Sequence, residues 1–406
     1  MVRSGYRGLS YAGSVLISLA NAPREYSWGS RTLLPELTGR PPRDVPEAEI
    51  WYGDHPGCPA RTPDGRALDD VLRAHGEPPL PYLMKLLAAG SSLSIQAHPS
   101  KREAVEGCAR EDAAGIDRDA ASRNYRDDNH KPEIIVALSD RFRALVGLRP
   151  LAATRALLAP LAESAPAGEP AATGEGVGAL LRRLDTAGRS EADTLRAVIA
   201  WALSGRAAPE VAALEHALHA TAERAGDGGE ELAVLRGIAR DFPGDPGLIV
   251  AALMNLVVLR RGEALFAPAG VLHAYQDGLG VEVMAASDNV LRGGLTPKHV
   301  DVDELLRVVD TSPGAPPLVA PVGDDGARVF DVGIPDFRVR HVEVGDAGHR
   351  LVTGGPAMVL ATRGTVTVAA GGDEVVLAPA EAVLALGETA VTVRGDGEVF
   401  VAEPGA

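Results

Sequence analysis

Short Val- and Ile-rich runs punctuated by Gly, Pro and Asp end near Pro150, a long stretch of helical period follows, and the β pattern resumes after Arg260-Arg261-Gly262. In the middle stretch Val177, Leu180, Leu181 and Leu184 fall at helical spacing, with Ala/Leu/Glu/Arg tracts after them. Glu133-Ile134-Ile135-Val136-Ala137-Leu138 before it and Ala264-Leu265-Phe266-Ala267-Pro268 after it suit strands. A helical block set between two β segments reads as an insertion. The β structure on either side of it must therefore close into one unit, and a jelly-roll barrel does this naturally, its mouth collecting side chains from strands distant in sequence.

Four polar residues give that closure a purpose. Gln96 and His98 in Leu93-Ser94-Ile95-Gln96-Ala97-His98-Pro99 are two apart in a β-prone stretch, so on a strand both leave one face, roughly 6 to 7 Å apart. Any single His more often packs in a core or sits at a surface. Here, however, a packed strand gains nothing from Gln96 between Ile95 and Ala97, and burying such groups without partners costs a few kcal/mol. With Glu133 and His273 they form a set of two nitrogens and two oxygens, suited to one divalent ion with room for water or substrate, an open set of the catalytic kind.

At 406 residues the chain exceeds one hydrophobic core, so several domains are expected. The patterns place a metal-bearing jelly roll over residues 1–150 and 260–325, an inserted α-helical domain over 151–259, and a smaller β-barrel or sandwich over 326–406. The last unit alternates with period two in Thr365-Val366-Thr367-Val368 and Val391-Thr392-Val393-Arg394; its His341 and His349 are not spaced as a ligand pair, and no metal is expected there. Loops rich in Pro, Gly and Asp are expected at Ala165 to Gly176 and Gly226 to Gly229.

A net charge of −15 argues against nucleic acid or an anionic membrane as partner. Cys58 and Cys108 imply neither a disulfide framework nor a zinc knuckle, which fits a reducing cytoplasm. Arg3 and Arg7 before the apolar run Ala12 to Ala20 resemble a weak leader. The run is interrupted by Gly13, Ser14 and Ser18, and it leads into Asn21 to Ser30, which reads as a first strand and turn. The chain is expected to be a monomer or weak homo-oligomer.

Several motifs resemble type I mannose-6-phosphate isomerase, a zinc-dependent family of the cupin superfamily. They are Tyr26-Ser27-Trp28-Gly29-Ser30; Glu49 to Pro56 as Glu-x-Trp-x-Gly-x-His-Pro; Pro81 to Leu87 running into Leu93 to Pro99; Asn129-His130-Lys131-Pro132-Glu133; and Gly270 to Lys298. The match is good over the two β segments and loose over the helical insertion and the C-terminal unit. The resemblance implies two cupin-like β domains flanking the helical insertion in a mainly β protein, with one Zn²⁺ per chain on Gln96, His98, Glu133 and His273. It implies a phosphorylated hexose as substrate, with Arg292 as the active-site arginine. Ser94, Lys85, Lys131 and Lys298 fall on substrate-contacting positions, Tyr275 and Glu282 on positions that line the pocket, and Tyr275 and Trp28 are expected to bind substrate, with ordinary packing as the rival role for these two. Two positions stand out: Ser100, where the family often has Asp or Asn, and Gly293 after the arginine.

The implied reaction, mannose 6-phosphate to fructose 6-phosphate, moves a proton between C1 and C2 through an enediolate and needs a base, a proton donor and positive charge at the oxyanion. Arg292 is expected to stabilise charge or transfer a proton, with Glu282 or a metal-bound water as base; a structural salt bridge is the rival role for Glu282. Lys85, Lys131, Arg292 and Lys298 are expected to form one cationic rim for the phosphate. The competing readings are a metal-dependent cupin enzyme acting on another sugar or as an oxygenase, and a non-catalytic sugar-phosphate-binding cupin.

Overall fold

The computed structural model describes residues 15–163, 172–225, 229–324, 326–387 and 390–405. Arg3, Arg7 and the start of the leader-like run, and most of the two expected loops (residues 165–171 and 226–228), lie outside the described residues.

In chain order the strands are β1 (Val15–Leu19), β2 (Glu49–Tyr52), β3 (Tyr82–Ala89), β4 (Gln96–Ala97), β5 (Glu133–Ala137), β6 (Phe142–Leu148) and β7 (Met254–Leu259). Then come β8 (Ala264–Ala267), β9 (His273–Ala285), β10 (Leu291–Arg292), β11 (Leu318–Val319), β12 (Val322–Asp324) and β13 (Ala327–Phe330). The chain closes with β14 (Arg338–Val344), β15 (His349–Val352), β16 (Ala357–Ala370), β17 (Asp373–Leu377), β18 (Ala382–Leu386) and β19 (Ala390–Glu403). The protein is mostly β with several helices.

Ten strands, β2 to β11, form one sheet, with β9 paired to β3, β4, β5 and β6. Nine strands, β1 and β12 to β19, form the other. The two sheets pack face to face through Ile50, Tyr52, Met84, Leu86, Ile134, Val136, Val281 and Val283 on one side and Phe337, Val339, Met358, Leu360, Leu384 and Phe400 on the other. Two tyrosines fix the contact: Tyr52 donates to the Ala380 carbonyl at 2.6 Å, and Tyr82 to those of Pro356 and Ala402 at 2.8 and 2.9 Å.

Between β6 and β7 run the helices Leu151–Glu163, Ala172–Arg183, Glu191–Trp201, Ala208–Ala225, Glu230–Asp241 and Gly247–Ala252. Ser190 starts the third by accepting from the Asp193 amide at 3.0 Å. Their apolar stripes share one core with Ile95, Ala97, Leu145, Ala274 and Leu291 from the first sheet.

Several boundaries differ from the sequence reading. Val322–Asp324, placed with the jelly roll, pairs as β12 with β13 in the second sheet, and residues 172–176, expected as loop, open the helix Ala172–Arg183. The leader-like apolar run contains β1, which pairs with β18 and so belongs to the second sheet, whereas Asn21 to Ser30 makes only isolated bridges. The helical stretch ends at Ala252, because Met254 to Leu259 forms β7 against β6.

Candidate metal centre and active site

Alternation decides which side chains reach the interior of the first sheet. Ile95 and Ala97 face the helical core, so Ser94, Gln96 and His98 face inward; likewise Ala274 and Leu291 point out while His273, Tyr275 and Arg292 point in. On β3 and β5, Met84, Leu86, Ile134 and Val136 serve the inter-sheet core, which turns Lys85 and Glu133 inward. A one-residue slip at β4 would bury Gln96 among helices and expose Ile95 to the cavity, so the apolar pattern itself holds the register.

β9 supplies inward groups from both halves because it changes phase midway. Arg143 pairs with Asp277 but Ala144 with Tyr275, one residue against two, a bulge beside Gly278. Gly278 has φ +123°, and a Cβ there would lie 2.8 Å from the Phe142 Cα, so only glycine fits. Past the bulge even-numbered residues face inward, which brings Glu282 to the same interior as His273 and Tyr275.

The set converges. His98 Nε2 lies 3.2 Å from Glu133 Oε1, His273 Nε2 lies 3.2 Å from Glu133 Oε2, and the imidazole centroids are 5.0 Å apart. Gln96 pairs directly with His273 on one side and Arg292 on the other, and lines the same cavity, of about 60 Å³, as Glu133 and His273. His98 Nδ1 donates to the Asn289 carbonyl at 2.7 Å and His273 Nδ1 to that of Val271 at 3.1 Å. Each Nε2 therefore carries its lone pair toward a carboxylate oxygen, a repulsive contact unless a cation lies between them. His98 Nε2 is buried without a hydrogen-bond partner. Burial and Lys131 push the His98 pKa down to about 4, so this ring is neutral and ready to ligate at pH 7. Burial raises the Glu133 pKa, but Lys131 and His98 outweigh it and hold the group well below the usual carboxylate range. The arrangement could hold a divalent ion in an open site of the imidazole and carboxylate type.

Around it the expected residues divide. Lys131 Nζ sits 2.5 Å from Glu133 Oε1, and Lys85 Nζ sits 2.9 Å from Glu282 Oε2 and 3.6 Å from Glu49 Oε1. Burial opposes the charge on Lys85, yet Glu282, Glu49 and Glu133 raise its pKa. Glu282 is raised by burial and by Glu133 and Glu49 against the pull of Lys85. Ser94 Oγ accepts from Gln96 Nε2 at 3.2 Å. Tyr275 lines this cavity, its ring edge-on to Phe142 at 5.4 Å. Trp28 instead stacks on Tyr26 at 5.6 Å and packs against the apolar interior, outside this cavity.

Arg292 and Lys298 line a second, larger cavity of about 410 Å³, together with Arg126 and His299, so the four cations do not share one rim. Burial and Arg126 lower the pKa of Arg292; burial, Arg292 and Arg126 lower that of Lys298. Arg126, His299 and Glu49 were not singled out in the sequence. Glu49 stands in a quoted motif and could have been marked as a carboxylate in a strand; Arg126, in a charged tract, carried no spacing signal.

The two odd positions are explained locally. Ser100 caps the helix Lys101–Ala113: its Oγ accepts from the Glu103 amide at 3.3 Å and the Glu103 carboxylate takes the Ser100 amide at 2.9 Å. Ser, Asp and Asn are all good caps, so the position serves the helix start. Gly293 is held by its amide on the Ile95 carbonyl at 2.8 Å, and a Cβ would meet Ile95 Cγ2 at 2.9 Å, so the backbone beside Arg292 is pinned.

Comparison with known proteins gives this metal centre a lineage. Residues 16–151 match the model for the phosphomannose isomerase type I catalytic domain. The chain is 35% identical to mannose-6-phosphate isomerase of Escherichia coli (strain K12), covering 94% of this chain and 97% of that one, and 29% identical to the Homo sapiens enzyme over 80% of this chain and 81% of that one. A crystal structure of zinc-bound mannose 6-phosphate isomerase superposes with a TM-score of 0.82 at 32% identity, over 96% of this chain and all of that one. A point mutant of phosphomannose isomerase from Salmonella typhimurium superposes at 0.83. The chain belongs to the type I mannose-6-phosphate isomerase family.

Proposed function

We propose that the protein interconverts mannose 6-phosphate and fructose 6-phosphate, using one Zn²⁺ held by Gln96, His98, Glu133 and His273. What carries this reading is the pair of imidazole lone pairs aimed at one buried carboxylate, in a cavity that also holds the Lys85–Glu282 pair. The donor set fits a borderline metal, and an ion there removes the repulsion between Nε2 and Oε atoms. When bound, the ion supplies positive charge to polarise the oxygens on C1 and C2.

The chain's own residues supply the remainder. Glu282, its pKa raised by burial and neighbouring carboxylates, is the group suited to take a proton from one carbon and return it to the other through an enediolate. Lys85 orients it at 2.9 Å. Arg292, opposite Gln96 across the strand pair, lines the larger cavity and would stabilise the developing oxyanion. Arg126 and Lys298, with His299, give the phosphate dianion a crowded cationic wall, while Lys85 and Lys131 are engaged by carboxylates and Ser94 by Gln96.

The first sheet, residues 20–150 and 254–319, is read as a cupin-like jelly roll, with the helical insertion between its halves. The second sheet, completed by β1, is read as a smaller cupin-like domain docked on it. Among the described residues no helix is long and apolar enough to cross a membrane; a cytoplasmic place fits a phosphosugar substrate. The test is a coupled assay with mannose 6-phosphate on metal-quantified protein. Exhaustive chelation abolishes turnover and zinc restores it; turnover persisting in protein shown to be metal-free refutes the reading.

A further inference from the structure

We propose that the protein carries a second metal site, for one divalent transition-metal ion, at the edge where the two sheets meet, built from His341, Glu343 and Glu398. None of these residues lines either cavity described above, so the proposal stands apart from the isomerase reading.

The site follows from strand register. β14 and β19 are antiparallel, with Glu343 directly opposite Glu398 and His341 opposite Phe400. His341 and Glu343 are two apart, so both join Glu398 on the face turned toward the first sheet, where Val339 and Phe400 enter the inter-sheet core. Two carboxylates directly opposite on neighbouring strands repel, and a cation between them removes that cost. One donor atom from each of the three lies within 4.8 Å of the others, with His341 Nε2 3.3 Å from Glu398 Oε2 and 3.8 Å from Glu343 Oε1.

A second observation points to a ligand. His341 is 4% exposed, its ring stacked on Phe400 at 4.7 Å, and neither ring nitrogen makes a hydrogen bond. His98, one of the two imidazoles at the first candidate centre, shows the same feature at Nε2. The group faces a cavity of about 100 Å³, larger than the one at His273, also lined by Leu138, Arg261 and Arg328.

The neighbouring cations leave room for an ion. Arg261 Nη2 donates to Glu398 Oε1 at 2.7 Å and Oε2 at 2.9 Å, and Thr362 Oγ1 to Oε1 at 2.6 Å. A carboxylate oxygen has two lone-pair sites, so Oε2 keeps one, on the side of His341. Glu133 at the first centre likewise carries Lys131 on one of its oxygens. Arg363 pairs with the outer oxygen of Glu343, and Arg328 is exposed and solvated. One imidazole nitrogen and two carboxylate oxygens, completed by water, suit Zn²⁺, Co²⁺ or Mn²⁺ better than Mg²⁺ or Ca²⁺, which prefer all-oxygen sets. Glu343 is half exposed, so this site binds more weakly than the buried first one.

The test uses the full chain, stripped with chelator, dialysed against saturating Zn²⁺ and assayed for bound metal by mass spectrometry. Two equivalents are expected in the wild type and one in Glu343→Gln and in His341→Ala, with isomerase turnover unchanged. Glu343 is exposed, so its variant keeps the fold, checked by circular dichroism, even where the buried His341 substitution does not. One equivalent in the wild type, or two in either folded variant, overturns the proposal.

Discussion

Asn289 joins the metal centre to the loop that carries Arg126, and its removal should loosen both. The side chain is fully buried; Oδ1 accepts from the Arg126 amide at 2.7 Å and the Asp127 amide at 3.2 Å, while Nδ2 donates to the carbonyls of Asp127 and Asn129 at 2.7 and 2.8 Å. Its own carbonyl receives His98 Nδ1. In Asn289→Ala the three short bonds, at roughly 1 kcal/mol net each, are lost, and water reaches only part of the half-buried loop, so opening of residues 126–129 becomes easier by about 3 kcal/mol. That corresponds to amide exchange on the order of 100-fold faster at Arg126 and Asp127, with β3 and β9 unaffected. The backbone carbonyl on His98 remains but is less well held, so zinc affinity should fall by roughly 10-fold or more, as for loss of other groups that orient a ligand. Hydrogen exchange by mass spectrometry and chelator competition read the two effects. Unchanged exchange across residues 124–131 would refute the claim that Asn289 holds the loop, and wild-type zinc affinity alongside faster exchange would uncouple the loop from His98.

Two further substitutions probe different parts of the molecule. Arg126→Ala should raise KM for mannose 6-phosphate by about 10-fold or more, the worth of one charge-assisted contact, with kcat changed less; steady-state kinetics with KM unchanged would place Arg126 outside the phosphate site. Burial raises the Glu398 pKa, but His341, Thr362 and Arg261 bring it down to about 2, below its unfolded value, so its stabilisation is present above about pH 4.5 and is lost as pH falls through 2. By that shift Glu398→Gln should be less stable than wild type by about 3 kcal/mol at pH 6, with the gap closing toward pH 2; a urea-denaturation gap independent of pH would rule out the charged form as its source.

The candidate centre was legible because its residues break the local pattern. Lys85 stands inside an apolar run, Gln96 between Ile95 and Ala97, and Glu133 at the head of the run Ile134 to Leu138, and alternation turns each away from the residues that fill the core. Tertiary partners were not legible. Val15 to Leu19 looks like a leader fragment until β18, near the other end of the chain, pairs with it. Met254 to Leu259 continues the apolar helical composition with no Gly or Pro break, and a short apolar run is helix or strand according to what lies beside it; β6 decided it. Arg126 gains meaning only when Asn289 folds its loop toward Arg292, and Glu398 becomes a neighbour of His341 only across two strands.

The two cavities differ in charge. In the metal cavity three carboxylates, Glu49, Glu133 and Glu282, surround two lysines, so with all groups ionised the sum is 2 − 3 = −1. The surplus of negative charge helps raise the pKa of Glu282 and makes the site receptive to a dication, after which the local charge is −1 + 2 = +1. The larger cavity carries four cations, Arg123, Arg126, Arg292 and Lys298, against two carboxylates, Asp119 and Asp288, and burial together with the like charge lowers the pKa values of Arg292 and Lys298. A phosphate dianion offsets this net positive charge; in the first cavity it would meet Glu49 and Glu282. On the proposed reading, the net positive charge of the larger cavity, across Gln96 from the metal, would favour a phosphorylated sugar bound with its phosphate at Arg126 and its reacting carbons toward Glu282.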